Sequence, residues 1–260
     1  MQHTLTGEAF TLLRQGEQEP SGVITEADLR RMPEVMQRYL RYARVAGKEV
    51  IRTVYLRQQG FMRTQPGQKW LPLVAKQYYS TMPPAFIWYG TMQPLSHISI
   101  SATDRFTGGH GNMRIKLLSV VPLGNARGPE MDQGELQRYL GEMVWFPTAW
   151  LSPDITWQAL DAGSVRATLS HENVTASIDL HIDEQGQLTH VTAERYKEEH
   201  GRYVLAPWSV QAGEYQKVQG MRIPTSVEVI WHLPAGDFSW FRCKITEIAY
   251  NQLQPHMLST

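Results

Sequence analysis

The sequence predicts an α+β domain: a large, curved antiparallel sheet, half-barrel-like, with an N-terminal and a central helix covering an apolar cavity. Three observations predict it. About ten to twelve short segments of period-two hydrophobicity, punctuated by turn residues, recur in the manner of meandering antiparallel sheets. Only two segments carry a long helical period, one opening at Pro33 and one stopping at Pro147. No linker, composition break or internal repeat divides the 260 residues, so one domain over 23–254 is expected after a polar lead-in over 1–22.

The elements follow in order. Residues 15–22 have no apolar period and are expected to be mobile. Thr25 with Asp28 forms a capping box, with Asp where Glu or Gln is usual. Pro33 suits the first turn of the next helix. From there Val35, Met36, Tyr39, Leu40 and Ala43 share one apolar face, and Arg38, Arg41 and Arg44 take the solvated side. Gly47 is placed to end that helix. Then Val50, Val54 and Leu56 alternate with Ile51, Thr53 and Tyr55, a strand partly apolar on both faces.

Further strands are expected over 70–80, 86–92, 98–102 and 113–122, with a tight turn or bulge at Gly108-Gly109-His110-Gly111. The central helix interrupts this run. Asp132 is its expected N-cap, with Glu135 completing a second capping box. Strands resume over 156–160, 165–170, 174–182 and 188–196, the last two joined by a hairpin turn at 183–186. Val227, Val229, Trp231 and Leu233 alternate with Ser226, Glu228, Ile230 and His232, and residues 234–237 turn the chain into a last strand over 238–250.

Several stretches together resemble a bacterial family known only as a domain of unknown function. They are Pro33-Glu34-Val35-Met36-Gln37-Arg38-Tyr39-Leu40, Leu56-Arg57-Gln58-Gln59-Gly60-Phe61-Met62-Arg63 and Gly108-Gly109-His110-Gly111-Asn112-Met113. Arg138-Tyr139-Leu140-Gly141-Glu142 with Trp145-Phe146-Pro147-Thr148-Ala149 continues the match. So do Glu194-Arg195-Tyr196, Pro207-Trp208 and Gly220-Met221-Arg222-Ile223-Pro224. The resemblance covers roughly residues 33–250 and is specific as a set. It implies no activity; the fold it implies is similar to the lipoprotein-carrier half-barrel, an analogy that transfers no catalytic residues.

Composition narrows the function. Lys+Arg and Asp+Glu are both 25, so nothing points to nucleic acid or an anionic membrane surface. Cys243 is the lone cysteine, which excludes an internal disulfide framework and a cysteine zinc cluster. A reducing, cytoplasmic location is the expectation, supported by an N-terminus with neither a basic start nor an apolar core. No window of about 18 apolar residues spans a membrane. Eight Trp and 11 Tyr exceed ordinary packing needs, and large aromatics often line ligand cavities.

Three constellations are candidates. Glu142 lies three residues from Trp145 on the central helix and near Trp150; a carboxylate desolvated by indoles can act as acid or base. The bland alternative is a carboxylate paired with a strand arginine. Arg195 lies between Glu194 and Tyr196 and faces the other way on its strand, and its preferred partner is Glu142. Such a pair is either an anion-binding fork or a structural bridge. Gln77, Tyr79, Trp88 and Asp104 come from neighbouring strands and either line one concave surface or make ordinary cross-strand contacts.

The nine histidines show no His-x-x-x-His or His-Glu-x-x-His spacing. A His97, His110 and Asp104 site is conceivable only in space, and no metal or cofactor is expected. Cys243 reads as a small buried hydrophobe.

The leading expectation is therefore binding of a hydrophobic or amphiphilic, lipid-like small molecule. The rival is an enzyme with Glu142 as general acid or base, Arg195 orienting an anion, and Tyr196 or Tyr79 donating a proton. A third reading is an interaction module using a sheet edge.

Overall fold

The computed structural model describes residues 2–17, 22–95 and 98–252. Three helices come first: α1 (Gln2–Glu17), α2 (Glu26–Leu29) and α3 (Glu34–Ala43). The chain then enters a single 13-stranded antiparallel sheet at its middle. β1 (Thr53–Met62), β2 (Leu71–Thr81), β3 (Pro84–Leu95), β4 (Ile98–Thr107), β5 (His110–Leu117) and β6 (Val121–Ala126) step outward to one edge. α4 (Pro129–Glu142) and two 3₁₀ turns, Met143–Trp145 and Pro147–Leu151, carry the chain to the opposite edge.

From there β7 (Ile155–Ala159), β8 (Ser164–His171), β9 (Val174–Ile182) and β10 (Leu188–Glu199) step back inward. β11 (Arg202–Val218), β12 (Met221–Leu233) and β13 (Gly236–Tyr250) complete the return, and β13 pairs with β1. This topology explains where α4 must lie. It joins the two edges of one curved sheet, so it crosses the concave face, packing on β5 on one side and on β9 and β10 on the other. This is the expected α+β half-barrel.

Alternation along the strands divides the interior in two. Val54 and Leu56 face the main concave core, while Tyr55 faces the back with Tyr78, Ala85, Ile87 and Ala249. The back face is covered by Ala9, Leu12 and Leu13 of α1. That helix lies where the sequence suggested only a polar lead-in. Its i, i+3, i+4 stripe is too short to stand out, yet it accounts for the strand that is apolar on both faces.

Local chemistry explains most element ends. Thr25 and Asp28 form the expected capping box. Arg44, in the left-handed region at φ 61°, caps α3 ahead of Gly47, correcting the expected end by about one turn. α4 starts earlier than expected: Gly128 is its N-cap and Pro129 takes the first position. Asp132 is inside the helix and its carboxylate instead accepts the Gly111 N–H at 2.7 Å. Glu135 turns inward and caps nothing.

The expected strand over 113–122 is two strands, divided by a turn with Leu118 and Ser119 at positive φ. β11 was missed because Pro207 and Gly213 interrupt its pattern. Gly186 lies in the β9–β10 turn at φ +88°, and a Cβ there would come within 2.8 Å of the Arg38 carbonyl oxygen, so the turn docks directly on α3. Residues 18–21 of the stretch expected to be mobile, His97 and residues 253–254 lie outside the described residues.

Candidate functional site

A cavity of about 560 Å³ lies between the concave face and the C-terminal half of α4. Its walls are mostly apolar and aromatic, with Trp88 and Met92 on β3, Trp145 after α4, Trp208 on β11, Val227 on β12 and Trp240 on β13. Trp88 is placed by two features. Its Nε1 donates to Gln58 Oε1 at 2.8 Å, and its ring lies flat across Gly90, where any Cβ would collide with it.

One end of the cavity is polar. It is built from α4, β4 and β10. Glu135, Arg138 and Glu142 recur at i, i+3 and i+7, on one face of α4. Arg138 Nε donates to Glu142 at 2.9 Å and its Nη1 donates to Asp104 of β4; Glu135 lies 3.9 Å from the same nitrogen. The guanidinium also stacks on Phe86 and Trp88, 4.9 and 5.3 Å from their ring centres. Glu142 accepts from Gln77 at 2.7 Å and from the Tyr79 hydroxyl at 3.0 Å, which occupies its second oxygen. Arg195 of β10 reaches Glu135 at 3.4 Å and lies over Trp208, 5.3 Å from the ring centre.

The electrostatics follow from counting. Two guanidiniums face three carboxylates in a region almost closed to water; Asp104 and Glu135 side chains are 1% and 2% exposed. Burial pushes the Glu135 carboxyl well above its usual range, and the neighbouring Asp104 pushes it further against the pull of Arg195 and Arg138. Burial also raises Asp104, with Arg138 opposing.

The Asp104 and Glu135 carboxyls lie close enough to influence each other, and Asp104 Oδ1 and Glu135 Oε2 are buried without a hydrogen-bond partner among the described residues. Both shifts favour the protonated form, and one proton kept by the pair balances the cluster. Burial works against the charge of Arg138, but Glu142, Asp104 and Glu135 outweigh it and hold its pKa above the ordinary arginine value. Arg195 is held below that value by burial, which the attraction of Glu135 offsets only in part, and Arg138 adds repulsion.

The expected residues are brought together unevenly. Glu142, Arg195, Trp88, Asp104 and Trp145 line the cavity. Gln77 and Tyr79 stand behind the wall, both 0% exposed, and act through Glu142. Two placements differ from expectation. Tyr196 is not at the cavity but in a surface cleft with His110, Asp132 and Glu172, as strand alternation with Arg195 requires. Trp150 is fully buried against Trp157, away from the cavity.

The expected Arg195–Glu142 pairing is also corrected: Arg195 pairs with Glu135, and Glu142 pairs with Arg138. His110 is on the surface beside Asp132, apart from Asp104. Arg138 and Glu135 were the residues that sequence reasoning missed. Their signal was the spacing of charges on one helix face, which a capping-box reading of Glu135 concealed.

A model of the family of unknown function DUF6544 matches residues 22–243, and the chain belongs to that family. No curated protein matches it. Among solved structures, the chain is similar to a domain described as an outer membrane lipoprotein-sorting protein from Vibrio parahaemolyticus, at 7% identity and TM-score 0.44, over 80% of this chain and 89% of that one. It is also similar to a LolA superfamily protein from Nitrosomonas europaea, at 10% identity and TM-score 0.41, over 87% and 96% of the two chains.

Proposed function

We propose that this member of DUF6544 binds a hydrophobic or amphiphilic, lipid-like small molecule in the cavity under α4. The observation that carries the reading is a space of about 560 Å³ with an apolar, tryptophan-rich wall and one polar end. Ligand sites are commonly concave spaces of roughly 300–1,000 Å³ with few, well-placed polar groups. Four cavity tryptophans also provide a direct readout, since a ligand entering the space changes their fluorescence.

The test is titration with a neutral amphiphile, dodecanol, followed by tryptophan emission. Saturable binding with a stoichiometry near one supports the proposal. Ala102→Phe, which places a ring in the cavity from β4, should abolish the response while the variant keeps its cooperative unfolding. Unsaturable partitioning by both forms, or equal binding by both, overturns it.

One observation favours an enzymatic reading of the same space. Asp104 and Glu135, two carboxyls that burial holds above their usual range, line the apolar cavity, an arrangement suited to general acid catalysis. That reading moves the proton donor from Glu142 to Glu135, because the oxygens of Glu142 are engaged by Arg138, Gln77 and Tyr79. It requires Glu135→Gln to abolish turnover of a bound substrate without abolishing binding.

A further inference from the structure

The polar end of the cavity has a surplus of one kind of hydrogen-bonding group. On the acceptor side, Glu142 is engaged by three donors, and Asp104 Oδ2 is taken by Arg138. Asp104 Oδ1 and Glu135 Oε2 have no hydrogen-bond partner among the described residues, but both atoms are buried and closed off from the open space. No carboxylate oxygen is thereby left facing the space without a partner among the described residues.

The donor side is different. Arg195 carries five N–H groups. Among the described residues it makes one hydrogen bond, a long one of 3.4 Å from Nη2 to Glu135. Its side chain remains 14% exposed, and it lines the cavity. Trp208, on which it lies, has an indole N–H with no acceptor among the described residues. A guanidinium in an apolar wall with most of its N–H groups unused is expensive, and what those groups lack is a further oxygen acceptor with negative charge.

We infer that the ligand carries an anionic head made of oxygen acceptors, as in a fatty carboxylate, and that this head seats on Arg195 while the chain lies against the cavity tryptophans. The inference rests on the proposed binding function and specifies its ligand class. An alkylammonium head finds no open acceptor and meets Arg195 as a like charge. A neutral alcohol occupies the apolar space and satisfies Arg195 weakly. The guanidinium fork matches a carboxylate with two parallel hydrogen bonds, which a lysine cannot reproduce.

The experiment compares dodecanoate, dodecanol and dodecyltrimethylammonium, each below its micelle threshold, by tryptophan emission and calorimetry. Dodecanoate should bind about tenfold or more tightly than dodecanol, and the cation most weakly. Arg195→Gln should bring dodecanoate down to the level of dodecanol. Arg195→Lys, which keeps the charge and loses the fork, should fall between and serves if the glutamine variant does not fold. Equal affinity for all three heads, or a preference for the cation, overturns the head-group inference and leaves the cavity reading standing. Saturable binding of none of them removes the cavity reading itself.

Discussion

Glu135→Gln tests whether Asp104 and Glu135 keep a proton between them in the folded protein. Burial first, and Asp104 second, raise Glu135 above its ordinary 4.5; burial raises Asp104 above 3.8 against Arg138. At pH values between those ordinary ones and the raised ones, the folded protein binds a proton that the unfolded chain has lost. Stability from the pair is therefore complete at low pH and declines as pH rises, by about 1.4 kcal/mol per pH unit for one proton. With roughly 2–4 °C of melting temperature per kcal/mol in a chain of this size, the decline is about 3–6 °C per pH unit.

The variant has two carboxylates against two guanidiniums, is neutral without any retained proton, and its amide can donate to Asp104. Its stability should lack this decline. Calorimetric melting of both proteins from about pH 5 to 8 gives the answer as a difference. The subtraction removes surface carboxylates such as Asp28 and Glu199, whose pKa values are lowered by hydrogen bonds to Thr25 and Lys197 and whose effect runs the other way. Parallel curves, or a wild type that gains on the variant as pH rises, would refute the retained proton.

Three further outcomes follow from the same contacts. Arg138→Met strips the cation from Asp104 and Glu142 and should cost about 3–5 kcal/mol, or roughly 6–20 °C of melting temperature, with part recovered in acid as the orphaned carboxylates protonate. Tyr79→Phe removes one of the Glu142 donors at a fully buried position and should lower the urea midpoint by the equivalent of about 1.5–3 kcal/mol with an unchanged slope. Leu13→Ala, 1% exposed under the back face, should cost about 2–5 kcal/mol; a loss of about 0.5 kcal/mol or less would mean that α1 does not dock in solution.

The sheet was legible because its strands alternate and its turns carry Gly, Pro and Asp, signals that act over a few residues. α3 was legible for the same reason, through Val35, Met36, Tyr39 and Leu40 on one face. What stayed hidden depends on pairing across the chain. Nothing local says that β13 returns to β1, nor that α4 must then cross the concave face between β6 and β7. Without that crossing, Glu135 reads as a capping residue and Arg138 as one more surface arginine. Glu142 and Arg195 were recognisable as inward-facing charges, but their partners were not. Partner choice is set by which strand lies under each turn of α4, and that is a property of the sheet order. The α1 stripe of Ala9, Leu12 and Leu13 failed for a different reason: three apolar residues carry too little periodicity to be seen until the back of the sheet demands a cover.

The cluster also has to be explained as a choice, because burying ions is a poor way to stabilise a fold. Desolvation costs several kcal/mol per ion, and replacing buried ion pairs with well-packed apolar residues is often neutral or stabilising, by roughly 1–4 kcal/mol. If Glu135 and Arg195 served only to fasten α4 to β10, Glu135→Leu with Arg195→Met would serve as well. The paired substitution removes one carboxylate and one guanidinium together, leaving Asp104 and Glu142 against Arg138, an excess of one carboxylate as in the wild type. We expect the double variant to melt at or above the wild-type temperature. We also expect it to keep its affinity for dodecanol and to lose its preference for dodecanoate. A double variant that unfolds far more readily than wild type would show that the pair is structural after all. One that melts normally and still prefers the anion would place the head group elsewhere in the cavity. Stability and head-group preference are thus separable in one protein, and a costly pair kept where only the second of them needs it is what the binding proposal predicts.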